Sequence, residues 1–365
     1  MISIYAAKLS ERGHNVRVIC PRRKRKSWQQ WLRDLRAGRI WRRKPSHSHF
    51  DGRAISVEHV DRPITDRKLP NADIIVATWW ETAEWVASLS PHKGTKVYFV
   101  QHHELHSRHT RVSSAATYRL PFKKICVASW LADTMQAVYA DHACVVVPNA
   151  VDLIQFHASP HRIRERPTVG FMYSTAKFKG CDVCIEAIQI AKRNVPNLRV
   201  LAFGKRRPDD RTIVQFIDEF YASPPQDQIR EIYAKCDAWL FASRSEGFGL
   251  PILESMACRT PVIGTPAGAA PELISEGGGL LVNPDNPDDM AGAIQAVVSM
   301  SDTEWKTMSD AAYRTAISYS WDDATDLLEQ ALVAAVEGRW EAHCKAQQQK
   351  RAAFARQRNV GAVEA

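Results

Sequence analysis

Short β-branched runs alternate with segments of helical period along almost the whole chain. In the first half "NVRVIC", "AISVEHV", "ADIIVAT", "KVYFVQ", "KKICVAS" and "ACVVVP" read as strands, with "ETAEWVASL" and "SWLADTMQAVYA" as helices among them. A second series opens at "TVGFMY". It continues with a helix from Gly180, strand "LRVLAFG", helix "DQIREIYAKC", strand "DAWLFAS", a helix from Pro251, strands "PVIGT" and "GGLLVN", and helices to about Val336. Strands alternating with crossover helices predict parallel sheets, and the expected fold class is α/β, two doubly wound Rossmann-like domains with a cleft between them. The expected boundaries are a first domain over 1–157, a polar, proline-containing linker at 158–166 and a second domain over 167–320. A helix at 321–340 is expected to cross back to the first domain, and the tail, 341–365, to be a fraying helix passing into disorder.

The first domain opens on the amphipathic helix "ISIYAAKLSERG", ended by Gly13, where an α/β domain of this type expects a strand and a tight glycine turn. Only Met1 precedes that helix. The expectation is an internal start within a longer reading frame; otherwise the sheet lacks an interior strand and leaves backbone unpaired.

Charge changes the picture at one place. The net charge is +9, yet Arg22–Lys44 alone holds eleven basic residues against Asp34; without that segment 38 basic residues face 39 acidic ones. Within this basic insert, 21–46, "SWQQWLRDLRAG" begins with Ser27 and Gln30 at capping-box spacing and sets Trp28, Trp31, Leu32 and Leu35 on one stripe. The stripe either packs on the domain's own sheet or meets an anionic membrane surface; no nucleic-acid motif accompanies the charge. No stretch approaches a membrane span or a secretory h-region, so a cytoplasmic protein is expected, with peripheral contact at the inner face of the plasma membrane as the extension of the membrane reading. Eight irregularly spaced cysteines suit a reducing compartment, and Cys181 and Cys184, without a second pair, read as buried thiols rather than zinc ligands.

The chemistry concentrates in "SRSEGFGLPILESMACRTPVIGT", Ser243–Thr265. A buried strand ends near Ser243 and turns sharply into a helix with Pro251 in its first turn. Gly247 and Gly249 let backbone approach a ligand and expose amide donors at the positive end of the helix, so a phosphate is the expected guest. Glu254 lies near that helix end and can accept sugar hydroxyls, while Glu246 faces the cleft. Together they describe a pocket for a molecule carrying both a phosphate and vicinal hydroxyls; a glycine turn with two capping acids is the plain alternative.

"EGFGLPILE" resembles the E-x7-E signature of the family-4 retaining glycosyltransferases (glycosyl transferases group 1, GT-B fold). The resemblance continues through "TPVIGTPAGAAPELI", "GGLLVNPDNPDDMAGAI", "VVVPNAVDLIQFH" and "LSERGHNV", spanning about residues 2–335. It implies a nucleotide-sugar donor on the second domain, with ribose hydroxyls on Glu254, the sugar near Glu246, and amides around Gly247, Phe248, Gly249 and Leu250 on sugar and diphosphate. The family's lysine matches Lys179 in "KFKG", facing the β-phosphate. Its usual arginine after the strand glycine is Phe171 here, with Lys177 or Tyr173 as substitutes, and its usual glycine after "MAC" is Arg259, read as structural. The acceptor, a saccharide or lipid-linked sugar, belongs to the first domain.

In "VQHHELHSRH" a histidine, His102 or His103, is implied near the reacting sugar. His103 and His106 hint at a metal, but "HHELH" does not fit HExxH, and no DxD ends a strand, so neither a divalent ion nor a cofactor is expected. The implied function is transfer of a hexosyl group to a polysaccharide or glycolipid of the cell envelope with retained configuration, the donor phosphate assisting deprotonation of the acceptor. A two-carboxylate hydrolase scheme is the rival use of the acids. The alternatives at the level of function are a non-catalytic nucleotide-sugar or polyanion binder and a sugar-nucleotide epimerase.

Overall fold

The computed structural model describes residues 1–22, 28–36, 55–105, 111–160 and 166–361. The elements run α1 (Ile2–Glu11), β1 (Arg17–Pro21), α2 (Trp28–Arg36), β2 (Ser56–Val60), β3 (Ile74–Ala77), α3 (Trp80–Ala87), β4 (Thr95–Val100), α4 (Arg111–Thr117), β5 (Lys123–Cys126), α5 (Ser129–Tyr139) and β6 (Cys144–Val146). They continue β7 (Thr168–Tyr173), α6 (Cys181–Asn194), β8 (Arg199–Gly204), α7 (Arg211–Val214), β9 (Glu219–Ala222), α8 (Gln226–Ala234), β10 (Ala238–Phe241), α9 (Leu250–Ala257), β11 (Val262–Gly264), α10 (Ala270–Ile274) and β12 (Gly279–Leu281). Four helices close the chain: α11 (Pro287–Val298), α12 (Asp302–Ile317), α13 (Trp321–Val336) and α14 (Trp340–Gly361). The chain divides into two compact units, the first of residues 1–99, 104–124 and 325–365, the second of residues 100–103 and 125–324.

In the first unit β1 pairs in parallel with β2, and β3 with β4, and no strand joins the two pairs among the described residues. Tyr5 of α1 meets Phe99 of β4 edge-on at 5.7 Å, and both are buried. The end of α1 is tied to α13 by charge: Arg12 pairs with Asp326 and Glu329, each at 2.6 Å, and His14 with Glu329 at 2.6 Å. On α2, Trp28 is 71% exposed and Leu35 44%. Leu32, on the same stripe, is half-buried. Ser27 and Gly38, with most of the basic insert, lie outside the described residues.

The second unit is built on a parallel six-stranded sheet of order β12-β11-β10-β7-β8-β9. One face packs Val169, Phe171, Val200, Ala202, Leu240 and Ile263 against the apolar stripes of α6 and α11. Burial on both faces explains why these strands read as continuous apolar runs. The helix starts follow from local chemistry. Asn286 accepts the Asp289 N–H at 3.0 Å before α11, and Ser301 and Glu304 form a reciprocal capping box at α12.

Several elements differ from the sequence expectation, among them helices α4, α7 and α10, which it did not include. β9 was not anticipated, because an edge strand of mixed polarity carries no apolar run; its Glu219 pairs across to Arg199 of β8. The chain after Val336 is helical through Gly361 rather than disordered from 341. Trp340 and Cys344, one turn apart, are buried and anchor the start of α14, and Glu341 pairs with Lys123 at 2.9 Å.

Candidate active site

β7 and β10 are parallel neighbours, with Gly170 opposite Trp239, so the loops that follow them leave the sheet at the same edge. The first loop ends in a single 3-10 turn, Lys177–Lys179, and Gly180. Gly180 has φ +62°, and a side chain there would place its first carbon 1.8 Å from the carbonyl oxygen of Ala242, just past β10. Only glycine lets the two loops press together this closely. The contact fixes Lys179 beside the second loop: its ammonium lies 2.5 Å from Glu246 Oε1, which also accepts the Ser243 hydroxyl at 2.8 Å. Lys179 and Glu246 are mostly buried, and with Met172, Trp239, Ser243 and Pro251 they line a small cavity of 20 Å³, the volume of about one water molecule.

Gly247 is held close to another stretch of backbone. A first side-chain carbon there would sit 1.8 Å from the carbonyl oxygen of Gln101. The same turn is pinned from α5, where the Trp130 indole N–H donates to the Gly247 carbonyl at 2.8 Å. The Phe248 side chain is buried and edge-on to Tyr319 at 6.2 Å, and its carbonyl accepts the Ala269 N–H at 2.8 Å. With the carbonyls of Gly247 and Phe248 committed and Gly249 left-handed at φ +99°, α9 begins at Leu250, and Pro251 is its second residue. Among the described residues the backbone N–H groups of Gly247, Phe248, Gly249 and Leu250 donate to no protein acceptor. Four consecutive uncommitted donors at a helix N-terminus, beside an ammonium, are a site for anionic oxygen.

Glu254, one turn into α9, is partly buried and accepts the Tyr233 hydroxyl at 2.9 Å. Burial pushes its carboxyl up to about 7, against the lowering effect of that hydrogen bond. The Tyr233 phenol, fully buried next to this acid, is raised strongly as well. The carboxyl thus sits near neutrality with an acceptor oxygen to spare for a hydroxyl donor.

The two histidines part company. His102 stands edge-on to Trp130, 6.4 Å between ring centroids, and so belongs with the residues that pin the glycine turn. His103 turns instead to α5, its Nε2 2.7 Å from the Tyr139 hydroxyl. His106 lies outside the described residues. Among the described residues no three ligating side chains gather as for a metal ion. Cys181 and Cys184 are free, buried thiols raised by desolvation, as their helical spacing suggested.

Two departures from the family pattern have structural explanations. Phe171 is 1% exposed in the sheet core, so this position supplies no charge to a ligand. Arg259 follows α9 with φ +60°, the conformation that favours glycine, and holds it through Asp310 at 2.6 Å and the ring of Tyr313 at 4.1 Å. Of the proposed substitutes for the missing arginine, Tyr173 packs edge-on to Phe220 and Lys177 is exposed.

One residue of the site escaped the sequence. Arg244 grips Asp182 with two hydrogen bonds of 3.0 and 2.8 Å, Asp285 at 2.5 Å and the Lys177 carbonyl at 2.5 Å, while its own N–H donates to the Phe178 carbonyl at 2.8 Å. It clamps the Lys179 turn onto the loop that carries Glu246. No local signal could reveal this, because its partners are 62 and 41 residues away.

Residues 166–300 match the family described as glycosyl transferases group 1. An uncharacterized glycosyltransferase, MJ1178, of Methanocaldococcus jannaschii is 24% identical over 205 residues, covering 55% of this chain and 56% of that protein. A D-inositol 3-phosphate glycosyltransferase of Corynebacterium kroppenstedtii is 28% identical over 222 residues, 53% of this chain and 49% of that protein. The chain spans about half the length of the curated relatives it matches. Among solved structures, Anabaena Alr3699/HepE in complex with UDP and glucose superposes with TM-score 0.68 at 17% identity, covering 91% of this chain and 95% of that one. Sucrose-phosphate synthase of Thermosynechococcus elongatus gives TM-score 0.60 at 18% identity, over 71% and 72%. Residues 166–300 thus resemble the glycosyl transferases group 1 family, and the chain that carries them has the GT-B fold.

Proposed function

We infer that this chain moves a sugar from a nucleotide-sugar donor to a saccharide or lipid-linked acceptor, with retention of configuration and without a metal ion. The observation that carries the reading is the run of four uncommitted N–H donors from Gly247 to Leu250, set beside the Lys179–Glu246 pair and one helical turn before Glu254. The donors and the Lys179 ammonium neutralise a diphosphate as the sugar–phosphate bond breaks, the role a metal would otherwise fill. Glu246, the acid nearest that ammonium, stabilises positive charge on the departing sugar, and Glu254 accepts the ribose hydroxyls. His102, in line with the pinned glycine turn, suits the sugar end better than His103. The curated relatives and the neighbour holding UDP and glucose support a nucleotide-sugar donor and a place in glycolipid or polysaccharide synthesis.

The test is donor hydrolysis by purified chain over UDP-glucose, UDP-N-acetylglucosamine and GDP-mannose. Slow release of nucleoside diphosphate, lost in Glu246→Ala, is expected; no binding and no release with any donor overturns the reading. Retention is read from the anomeric proton coupling of the transferred sugar. Phe171, buried where the family's arginine is usual, favours one second reading, a nucleotide-sugar binder without turnover. Tight binding with no release in the same assay selects it.

The exposed Trp28 and Leu35, with Arg33 and Arg36 on the same helix, fit an anionic bilayer as the surface on which a lipid-linked acceptor is met. Co-sedimentation with phosphatidylglycerol vesicles but not phosphatidylcholine vesicles, abolished by Trp28→Glu, is the expected result. No helix among the described residues is long and apolar enough to cross a membrane.

A further inference from the structure

In the first unit, the loops that follow β3 and β4 leave two parallel neighbours at their C-terminal edge, where open α/β sheets collect ligands. They carry an aromatic ring and a carboxyl that the donor chemistry does not use. Trp79 immediately precedes α3, and its backbone is held at both ends by Thr82. The Thr82 hydroxyl accepts the Trp79 N–H at 3.1 Å and donates to the Trp79 carbonyl at 2.6 Å. The indole on this fixed backbone is nevertheless 48% exposed.

Glu104, in the loop after β4, is only 5% exposed, and its Oε2 accepts the N–H of Trp80, the residue next to that indole, at 3.1 Å. The loop is set in place from beneath. The Glu104 N–H donates to the buried Tyr118 hydroxyl at 2.9 Å, and Tyr118 stacks on Tyr98 with the rings 5.6 Å apart and 6° from parallel. Among the described residues the Trp80 N–H supplies the one hydrogen bond that this carboxyl takes. A carboxylate offers about four acceptor positions, and a buried one left short of donors is costly. Burial accordingly pushes Glu104 up to about 7.

Capping of α3 accounts for one oxygen of Glu104 and one N–H. It does not account for the half-exposed indole of Trp79, the residue that precedes that N–H in sequence. The two groups together match one ligand chemistry, a pyranose, which has an apolar C–H face to stack on a ring and a rim of hydroxyl donors to offer a carboxylate. An anionic ligand would be repelled by the same carboxylate.

We propose that Trp79 and Glu104 form a saccharide subsite, the indole stacking on a hexopyranose ring of the acceptor and the carboxylate accepting its hydroxyls. Only the word acceptor rests on the glycosyltransferase reading; the binding of a sugar ring does not.

The experiment uses the full chain and four single-ring probes: methyl α-D-mannopyranoside, methyl α-D-glucopyranoside, N-acetylglucosamine and myo-inositol. Binding is read by saturation-transfer NMR. At least one pyranose is expected to bind, with affinity falling about tenfold in Trp79→Ala, recovering in Trp79→Phe, and falling in Glu104→Gln. Trp79 is exposed, so its variants keep the fold, which their melting midpoints check. Donor hydrolysis without acceptor is expected to stay unchanged in Trp79→Ala while the acceptor KM of transfer rises about tenfold. No pyranose bound, or binding indifferent to Trp79→Ala, overturns the proposal. Sugar binding that depends on Trp79 in a chain that never hydrolyses a donor sinks the glycosyltransferase reading and leaves the subsite standing.

Discussion

Glu254 offers a quantitative test of the candidate site, because its carboxyl moves from an ordinary value of 4.5 to about 7 on folding. The folded chain therefore keeps this proton up to about pH 7, whereas the unfolded chain loses it near pH 4.5. Between those values the folded state binds more protons, so stability falls as pH rises: its full contribution is present below pH 4.5 and gone above about 7. A displacement of about 2.5 on the pH scale, at ~1.4 kcal/mol for each step of one, corresponds to about 3 kcal/mol. Glu254→Gln keeps the shape and an acceptor for the Tyr233 hydroxyl but carries no charge. Urea unfolding followed by tryptophan fluorescence at several values between pH 5 and pH 8 should show the variant gaining about 3 kcal/mol on the parent across that range. The same site predicts a second reading from calorimetry. Ribose hydroxyls donating to Glu254 favour its charged form, so nucleotide-sugar binding near neutrality should release a proton. The measured heat should then vary with the ionisation enthalpy of the buffer in the parent and not in Glu254→Gln. If the stability difference between variant and parent is flat from pH 5 to pH 8, the carboxyl titrates normally and the desolvation argument fails.

Other residues of the site give sharper outcomes. Gly247→Ala puts a carbon 1.8 Å from the Gln101 carbonyl, with backbone on both sides and no rotamer to relieve it. It should destabilise by about 3 kcal/mol, seen as a lowered urea midpoint. Lys179→Met removes the ammonium beside Glu246 and should slow nucleoside diphosphate release about 100-fold, measured as kcat at saturating donor. Arg244→Met removes the guanidinium that holds the Lys177 carbonyl together with Asp182 and Asp285, and so loosens the Lys179 turn. It should lower kcat while leaving the Kd for the free nucleoside diphosphate near the parental value, and Arg244→Lys should recover only part of the loss, because an ammonium cannot grip Asp182 with two bonds.

Much of this protein was legible before folding was considered. The parallel sheets follow from apolar runs buried on both faces, as in Val169–Phe171 and Leu240, and the site's location follows from a glycine turn entering a helix with a proline in its first turn. Glu246 and Glu254 were recognisable because each stands at fixed spacing from that turn, and Lys179 through the resemblance of "KFKG" to the family's lysine. What could not be read is what depends on residues far apart in sequence. The sequence shows Gly247 as a glycine, but only the fold shows that its neighbour is the Gln101 carbonyl. Arg244 is one basic residue among many until Asp182 and Asp285 converge on it, and Glu104 is an ordinary loop acid until Trp80 and Tyr118 enclose it. The physical reason is the same in each case. Periodicity and spacing encode interactions within a turn or a strand, whereas burial, and with it the cost of an unsatisfied charge, exists only once distant segments exclude water together.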